Sequence, residues 1–187
     1  LKVNKKYKLR CNILIILVLF SKILLAQDST FSLPIKNKIF LKGKTKADSG
    51  RTIDAIIIHS SYCPKSDSFN LDCILDLYQY YNVSAHYIID RDGNITRLVE
   101  EADIAFHAGK GTMPDSNNKI NTRSIGIELI NTKASDYTEA QYQSLIRLII
   151  YIKSRHAIKY ILGHNQIAPT RKTDPWRFDW TKVEHLR

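Results

Sequence analysis

Cysteine is scarce in this chain: three in 187 residues, beside one methionine, seven glycines and five prolines. So few cysteines exclude a small scaffold held together by many disulfides. With glycine and proline also sparse, and no internal repeat or low-complexity stretch, the chain reads as a folded domain rather than a linker. Acidic residues are missing altogether from positions 1–26, which hold six basic ones: Lys2, Lys5, Lys6, Lys8, Arg10 and Lys22. The formal charge of +10 therefore belongs mostly to that end, and residues 27–187 carry 22 basic against 18 acidic side chains, a net of +4. An excess that mild gives no argument for nucleic acid and suits an anionic substrate or surface. A long apolar run is lacking too. Ile13–Phe20 is uninterrupted, but Lys22 breaks the pattern before Ile23–Ala26, and a membrane span needs about 20 apolar residues.

What the N-terminus does contain is the layout of an export signal over residues 1–26: a lysine-rich start, an apolar middle, and Ala26 where cleavage would follow. Leu24 is large where a small residue is usual, so an uncleaved anchor stays open beside it. No cysteine follows the apolar run, which argues against a lipoprotein. The expected location is periplasmic or secreted, with no stable membrane span once the signal is removed. Removal of Cys11 with that segment leaves Cys63 and Cys73, an even pair ten residues apart. Two readings stand: one bond in an oxidising compartment, where closing such a loop stabilises by about 2–3 kcal/mol, or two thiols in a reducing one.

A hydrophobic share of 44% suits one domain with a real core. Residues 27–51 read as an extended leader, since Pro34, Gly43, Gly50 and several lysines break any period. The domain then runs over 52–187. Ile53–His59 is an apolar, β-branched run, the pattern of a buried central strand. A helix is expected near 71–81, with Ile74, Leu77, Tyr78 and Tyr81 on one face. Tyr87–Asp90 and Ile95–Val99 flank Asp92-Gly93, a hairpin signal. Residues 100–122 look irregular. Ser124–Ile130 is a second strand, with Ile125, Ile127 and Leu129 on one side and Ser124, Gly126 and Glu128 on the other. A long helix follows from about 138 to 155, opened by the capping box Thr138/Gln141 and buried through Tyr142, Leu145, Ile146, Ile149 and Ile152. A third strand near 159–162 leads into a loop over 163–175, and Asp179 caps a last helix near Trp180. Strands alternate with helices around one hairpin, which predicts a single α/β domain with a mixed central sheet covered by helices.

The loop 163–175 concentrates chemistry: His164, Lys172 and Asp174, with two prolines and a glycine that argue against helix or central strand. His59 ends one predicted buried strand and His164 follows another. Two imidazoles and a carboxylate, with one position left for water, form a recognised catalytic zinc set. A separation of 105 residues between the histidines is not diagnostic, and satisfied surface or core histidines remain the alternative. Glu128 lies among apolar neighbours, where a carboxylate is costly unless paired or functional; an edge position facing water is the other reading. His86 reads as a satisfied core histidine, and His156 and His185 as surface residues.

Beyond these residue-level readings, the chain resembles the zinc-dependent N-acetylmuramoyl-L-alanine amidase family, which includes bacterial amidases, phage lysozyme-type amidases and animal peptidoglycan recognition proteins. The matching pieces are Ile57-Ile58-His59, Val83-Ser84-Ala85-His86-Tyr87, Arg91-Asp92-Gly93, His107-Ala108-Gly109, Ser124–Leu129, and Gly163-His164 through Asp174-Pro175. They come in the family's order. The resemblance implies a peptidoglycan-recognition-protein-like fold, Zn2+ held by His59, His164 and Asp174, Glu128 as catalytic acid and base, and Lys172 as stabiliser of the oxyanion. It places His107 beside the site as a substrate contact, with a structural role as the other reading, and Asn121 and Arg171 are added as contacts to peptide amides or carboxylates. It also favours a Cys63–Cys73 disulfide bracing the loop after His59. Ala85 stands where some members carry a tyrosine.

The function this implies is an exported, monomeric amidase cutting the bond between N-acetylmuramic acid and L-alanine in peptidoglycan. Two alternatives are kept: a module that binds peptidoglycan or muropeptides without cutting, and an amidase for anhydro-muropeptides in cell-wall recycling.

Overall fold

The structure is a computed structural model describing residues 33–65 and 67–187. The signal-like segment 1–26 and the first residues of the leader lie outside the described residues. Among the described residues, eight strands are β1 (Ile35–Asn37), β2 (Lys44–Lys46), β3 (Ala55–Ser61), β4 (Tyr87–Ile89), β5 (Ile95–Arg97), β6 (Asp103–Ala105), β7 (Ser124–Ile130) and β8 (Tyr160–Gly163). The helices are α1 (Leu71–Tyr81), α2 (Ile120–Arg123), α3 (Glu139–Lys153) and α4 (His164–Ile167), followed by 3-10 turns at Trp180–Lys182 and Glu184–Leu186.

Six strands make one sheet in the order β1-β5-β4-β7-β3-β8, and β2 pairs with β6 in a separate ribbon. β4, β7, β3 and β8 run parallel, while the β4–β5 hairpin is antiparallel, so the sheet is mixed as expected. The apolar run of β3 is long and unbroken because both of its faces are covered. Ile56 and Ile58 pack with Ile125, Ile127 and Leu129 against α3, through Tyr142, Leu145, Leu148, Ile149 and Ile152. On the other face, Ala55 and Ile57 pack with Ala108, Ile120 and Ile167. The alternation read along β7 therefore holds, and the capping box at Thr138/Gln141 is present.

Three readings change. Residues 33–51 pack into the domain rather than standing apart as an extended leader: β1 pairs in parallel with β5, Phe40 is buried against α1, and the Arg51 guanidinium donates to the carbonyls of Asn121 and Ser124 at 2.8 and 2.7 Å. Short strands separated by lysines leave too little apolar period to be seen. Along α1, Leu75 is buried and Tyr81 is exposed, because the helix packs under β4 and Phe40 as well as under the sheet face its own stripe suggested. Finally, residues 164–167 form one helical turn, started where Gln166 Oε1 accepts from the Gly163 N–H at 2.8 Å.

Candidate metal centre and cleft

Register places the key residues. In the parallel pairing of β3 and β7, His59 stands opposite Glu128. In that of β3 and β8, Ile58 stands opposite Gly163, so His164 emerges beside His59. Both histidines thus reach the carboxyl ends of central strands, where open α/β sheets gather ligands. Asp174 returns along the loop and is anchored by its carbonyl, which accepts from the Asn165 N–H at 2.7 Å.

His59, His164 and Asp174 are all buried and converge. The Nδ1 atoms of the two histidines lie 2.9 Å apart, and Asp174 Oδ2 lies 3.1 Å from His164 Nδ1 and 3.5 Å from His59 Nδ1. These separations bracket the ~3.3 Å edge of a tetrahedron drawn with 2.0–2.1 Å metal–ligand bonds. The opposite nitrogen of His164 lies 3.0 Å from the Ala108 carbonyl oxygen. A carbonyl only accepts, so Nε2 carries the proton and the Nδ1 lone pair points at His59 and Asp174. Acceptors crowded in this way fit a shared cation. Burial, followed by the opposing effect of the Asp174 hydrogen bond, leaves the His59 imidazole down at about 4. Burial alone would raise the Asp174 carboxyl, but the bonds and charges of His164 and His59 outweigh it and hold it well below the usual carboxylate range.

Beside this centre is a cavity of about 260 Å³ lined by Glu128, Lys172, Trp176, Ser61 and Tyr78 together with the three candidate ligands. Glu128 is buried rather than on an open edge, and its carboxyl is pushed up to about 8, by burial first and by the charge of Asp174 second. Ser61 and Tyr78 were not expected here. Ser61 Oγ donates to Glu128 Oε2 at 2.8 Å, and Tyr78 bonds Ser61 from α1. Their signal in the sequence is weak: a serine two residues past His59, and a tyrosine that its periodicity assigned to packing alone.

The three expected substrate contacts have other bonds. His107 Nδ1 is 3.0 Å from His59 Nε2, and His107 Nε2 is 3.1 Å from Ser124 Oγ, so both ring nitrogens face protein. Asn121 Oδ1 accepts from the Ala108 N–H at 3.0 Å. Arg171 donates to the carbonyls of Ala108, at 2.7 Å, and Lys110. Each of them supports the segment 107–110. His86 is a core histidine as read: Nδ1 accepts from the Gly126 N–H at 3.0 Å. The Cys63–Cys73 disulfide is formed, with Cα atoms 5.7 Å apart.

The N-acetylmuramoyl-L-alanine amidase family model matches residues 49–177, well over half of the chain. The chain belongs to that family. The 1,6-anhydro-N-acetylmuramyl-L-alanine amidase AmpD of Citrobacter freundii is 40% identical over 110 residues, covering 57% of this chain and 58% of that protein. The N-acetylmuramoyl-L-alanine amidase AmiD of Escherichia coli is 33% identical over 120 residues, 54% of this chain and 43% of the relative. The match thus spans about three fifths or less of these relatives' length. Among solved structures, an AmpD derivative superposes with a TM-score of 0.69 at 29% identity, covering 81% of this chain and 93% of that one. Drosophila PGRP-LB shares the fold, with a TM-score of 0.59 at 22% identity over 80% of this chain and 95% of that one.

Proposed function

We propose that this protein is a zinc-dependent amidase hydrolysing the bond between the lactyl group of N-acetylmuramic acid and L-alanine, and that soluble 1,6-anhydro-muropeptides are its preferred substrate. One observation carries the reaction type: two Nδ1 lone pairs and a carboxylate oxygen converge at one end of a cleft whose wall holds Glu128 and Lys172. The choice of substrate is supported by the activity for which AmpD is named. Sequence reasoning put intact, extracellular peptidoglycan first; the relatives favour the recycling alternative over it. The binding-only alternative is weakened by the complete ligand set.

Zinc bound by His59, His164 and Asp174 would act as a Lewis acid and bring the pKa of water at the site toward neutrality. Ser61 already occupies Oε2 of Glu128, which leaves Oε1 to take the proton of the attacking water and pass it to the leaving nitrogen. A buried carboxyl with a raised pKa suits this exchange, since it both accepts and returns a proton near neutral pH. The Lys172 ammonium offsets the negative charge that forms on the carbonyl oxygen. We place the protein outside the cytoplasm, as a monomer; the N-terminal layout and the disulfide support the location.

The test is digestion of 1,6-anhydro-muropeptides and of intact sacculi by zinc-loaded protein, with and without chelator, read by mass spectrometry. Free stem peptide should appear faster from the soluble substrate and disappear with chelator. No stem peptide from either substrate refutes the amidase reading, and faster release from sacculi restores the intact-wall reading.

A further inference from the structure

We propose that His107 is a positioning residue: its ring, held by Ser124, fixes the tautomer of His59 and so aims the His59 Nδ1 lone pair into the metal centre. The inference rests on the zinc reading above and assigns to this centre a support that the ligand set alone does not reveal.

Hydrogen-bond direction fixes each tautomer in turn. Ser124 Oγ lies 2.7 Å from the Ile120 carbonyl oxygen and gives it its only proton. Ser124 must therefore accept from its other neighbour, so His107 Nε2, 3.1 Å away, carries a proton. Each ring nitrogen of His107 faces one neighbour, Ser124 Oγ or His59 Nε2, and neither is a carboxylate, so the ring is a neutral imidazole with its one proton on Nε2 and Nδ1 is an acceptor. His59 Nε2, at 3.0 Å from that atom, must then donate. The remaining nitrogen of His59 is a bare lone pair, 2.9 Å from His164 Nδ1. A polarised chain thus runs from the Ile120 carbonyl through Ser124 and His107 to His59, and it delivers the same tautomer that the Ala108 carbonyl imposes on His164.

Two independent features serve this chain. The first is Gly126, which lies beneath the His107 ring: a Cβ there would sit 2.4 Å from His107 Cγ. The glycine is needed for the close approach, not for its backbone freedom. The second is the clamp on residue 108, whose N–H is taken by Asn121 and whose carbonyl is taken by Arg171 as well as by His164. Residues 107 and 108 therefore orient both imidazoles, one by a side chain and the other by a carbonyl. Outer bonds of this kind are worth about 10- to 100-fold in metal affinity.

The experiment measures zinc affinity by competition with a chromogenic chelator and, separately, the protonation of His59 by 15N NMR of the metal-free wild-type protein. His107→Ala should weaken zinc 10- to 100-fold, with the fold checked by circular dichroism. His107→Asn keeps an acceptor, Oδ1, on the atom that replaces Nδ1 and should recover most of that loss. Gly126→Ala removes no polar atom yet should weaken zinc by displacing the ring. In metal-free wild type, the His59 proton should reside on Nε2. Unchanged affinity in His107→Ala, an Asn variant as weak as the Ala variant, or a proton on His59 Nδ1 overturns the proposal. A wild-type protein that binds no zinc refutes the metal reading instead, and the NMR result still decides the relay.

Discussion

Ser61 offers a sharp test of how the cleft tunes its base. Its hydroxyl donates to Glu128 Oε2 at 2.8 Å in a partly buried setting. A hydrogen bond to a charged group contributes about 1.5–3 kcal/mol. It favours the ionised carboxylate, so Ser61→Ala should raise the Glu128 pKa further. At 1.36 kcal/mol per unit the rise is about 1–2 units. In the proposed role of general base Glu128 must be ionised to take a proton from water, so the acid limb of the pH–rate profile moves to higher pH by that amount. On the steep part of the limb, the rate falls about 10- to 100-fold, and it recovers toward the wild-type plateau as pH rises. Tyr78→Phe removes the hydroxyl that bonds Ser61 and also favours the Glu128 carboxylate, and should shift the limb in the same direction. The assay is stem-peptide release from a defined muropeptide across pH 5 to 10. A variant whose rate drops by one factor at every pH, with the limb unmoved, would falsify this account of Ser61.

Three further outcomes follow from the geometry. Glu128→Gln should retain zinc while losing about 100- to 10,000-fold in kcat, whereas Asp174→Ala should lose the metal itself; metal analysis beside rate measurement separates the two, and an unimpaired Glu128→Gln would remove the general base. Burial, and next the charge of Arg51, holds the His86 imidazole down at about 3. The unfolded chain takes up that proton below about pH 6.5 and the folded chain does not until about 3, so folding stability falls as pH drops through this window. His86→Asn keeps an acceptor for the Gly126 N–H and should flatten that slope in urea unfolding at pH 7, 5 and 4; an identical slope counts against it. Replacing Cys63 and Cys73 by serine opens a loop of ten-residue separation, which should lower stability by about 2–3 kcal/mol and Tm by roughly 5–10 °C, read by calorimetry.

Much of this fold is legible in residue patterns because it rests on strong periodicities. The run Ala55–Ile58 is apolar at every position since β3 is covered on both faces, and the alternation of β7 separates Glu128 from Ile127 and Leu129 just as the sheet does. α3 shows its stripe and its capping box. Elements of three residues show neither. β1 and β2 each expose most of what they hold and owe their pairing to neighbours far along the chain. Arg51 is invisible for a related reason: a basic residue in a polar stretch looks solvated until Ser124 and Asn121 arrive around it.

The site divides along a different line. A reacting group can be recognised by type, because a base must be a carboxylate or imidazole and a zinc ligand must offer N, O or S. His59, Glu128, His164 and Asp174 could be singled out as candidates on that ground, while their roles and that of Lys172 come from the family resemblance; register places His59, Glu128 and His164, and the loop after β8 brings Lys172 and Asp174 to the same cleft. What a polar residue touches is another matter. His107, Asn121 and Arg171 have the right chemistry for substrate, yet their polar atoms bond His59, Ser124 and the backbone of residues 108 and 110. A residue type states its capacity to bond, and only the folded neighbours state how much of that capacity is used. Ser61 is the converse case: too common a residue to single out, it becomes specific once its hydroxyl is found to donate to Glu128. The groups that hold a site in shape are thus harder to read from sequence than the groups that react, because their requirement is direction rather than chemistry.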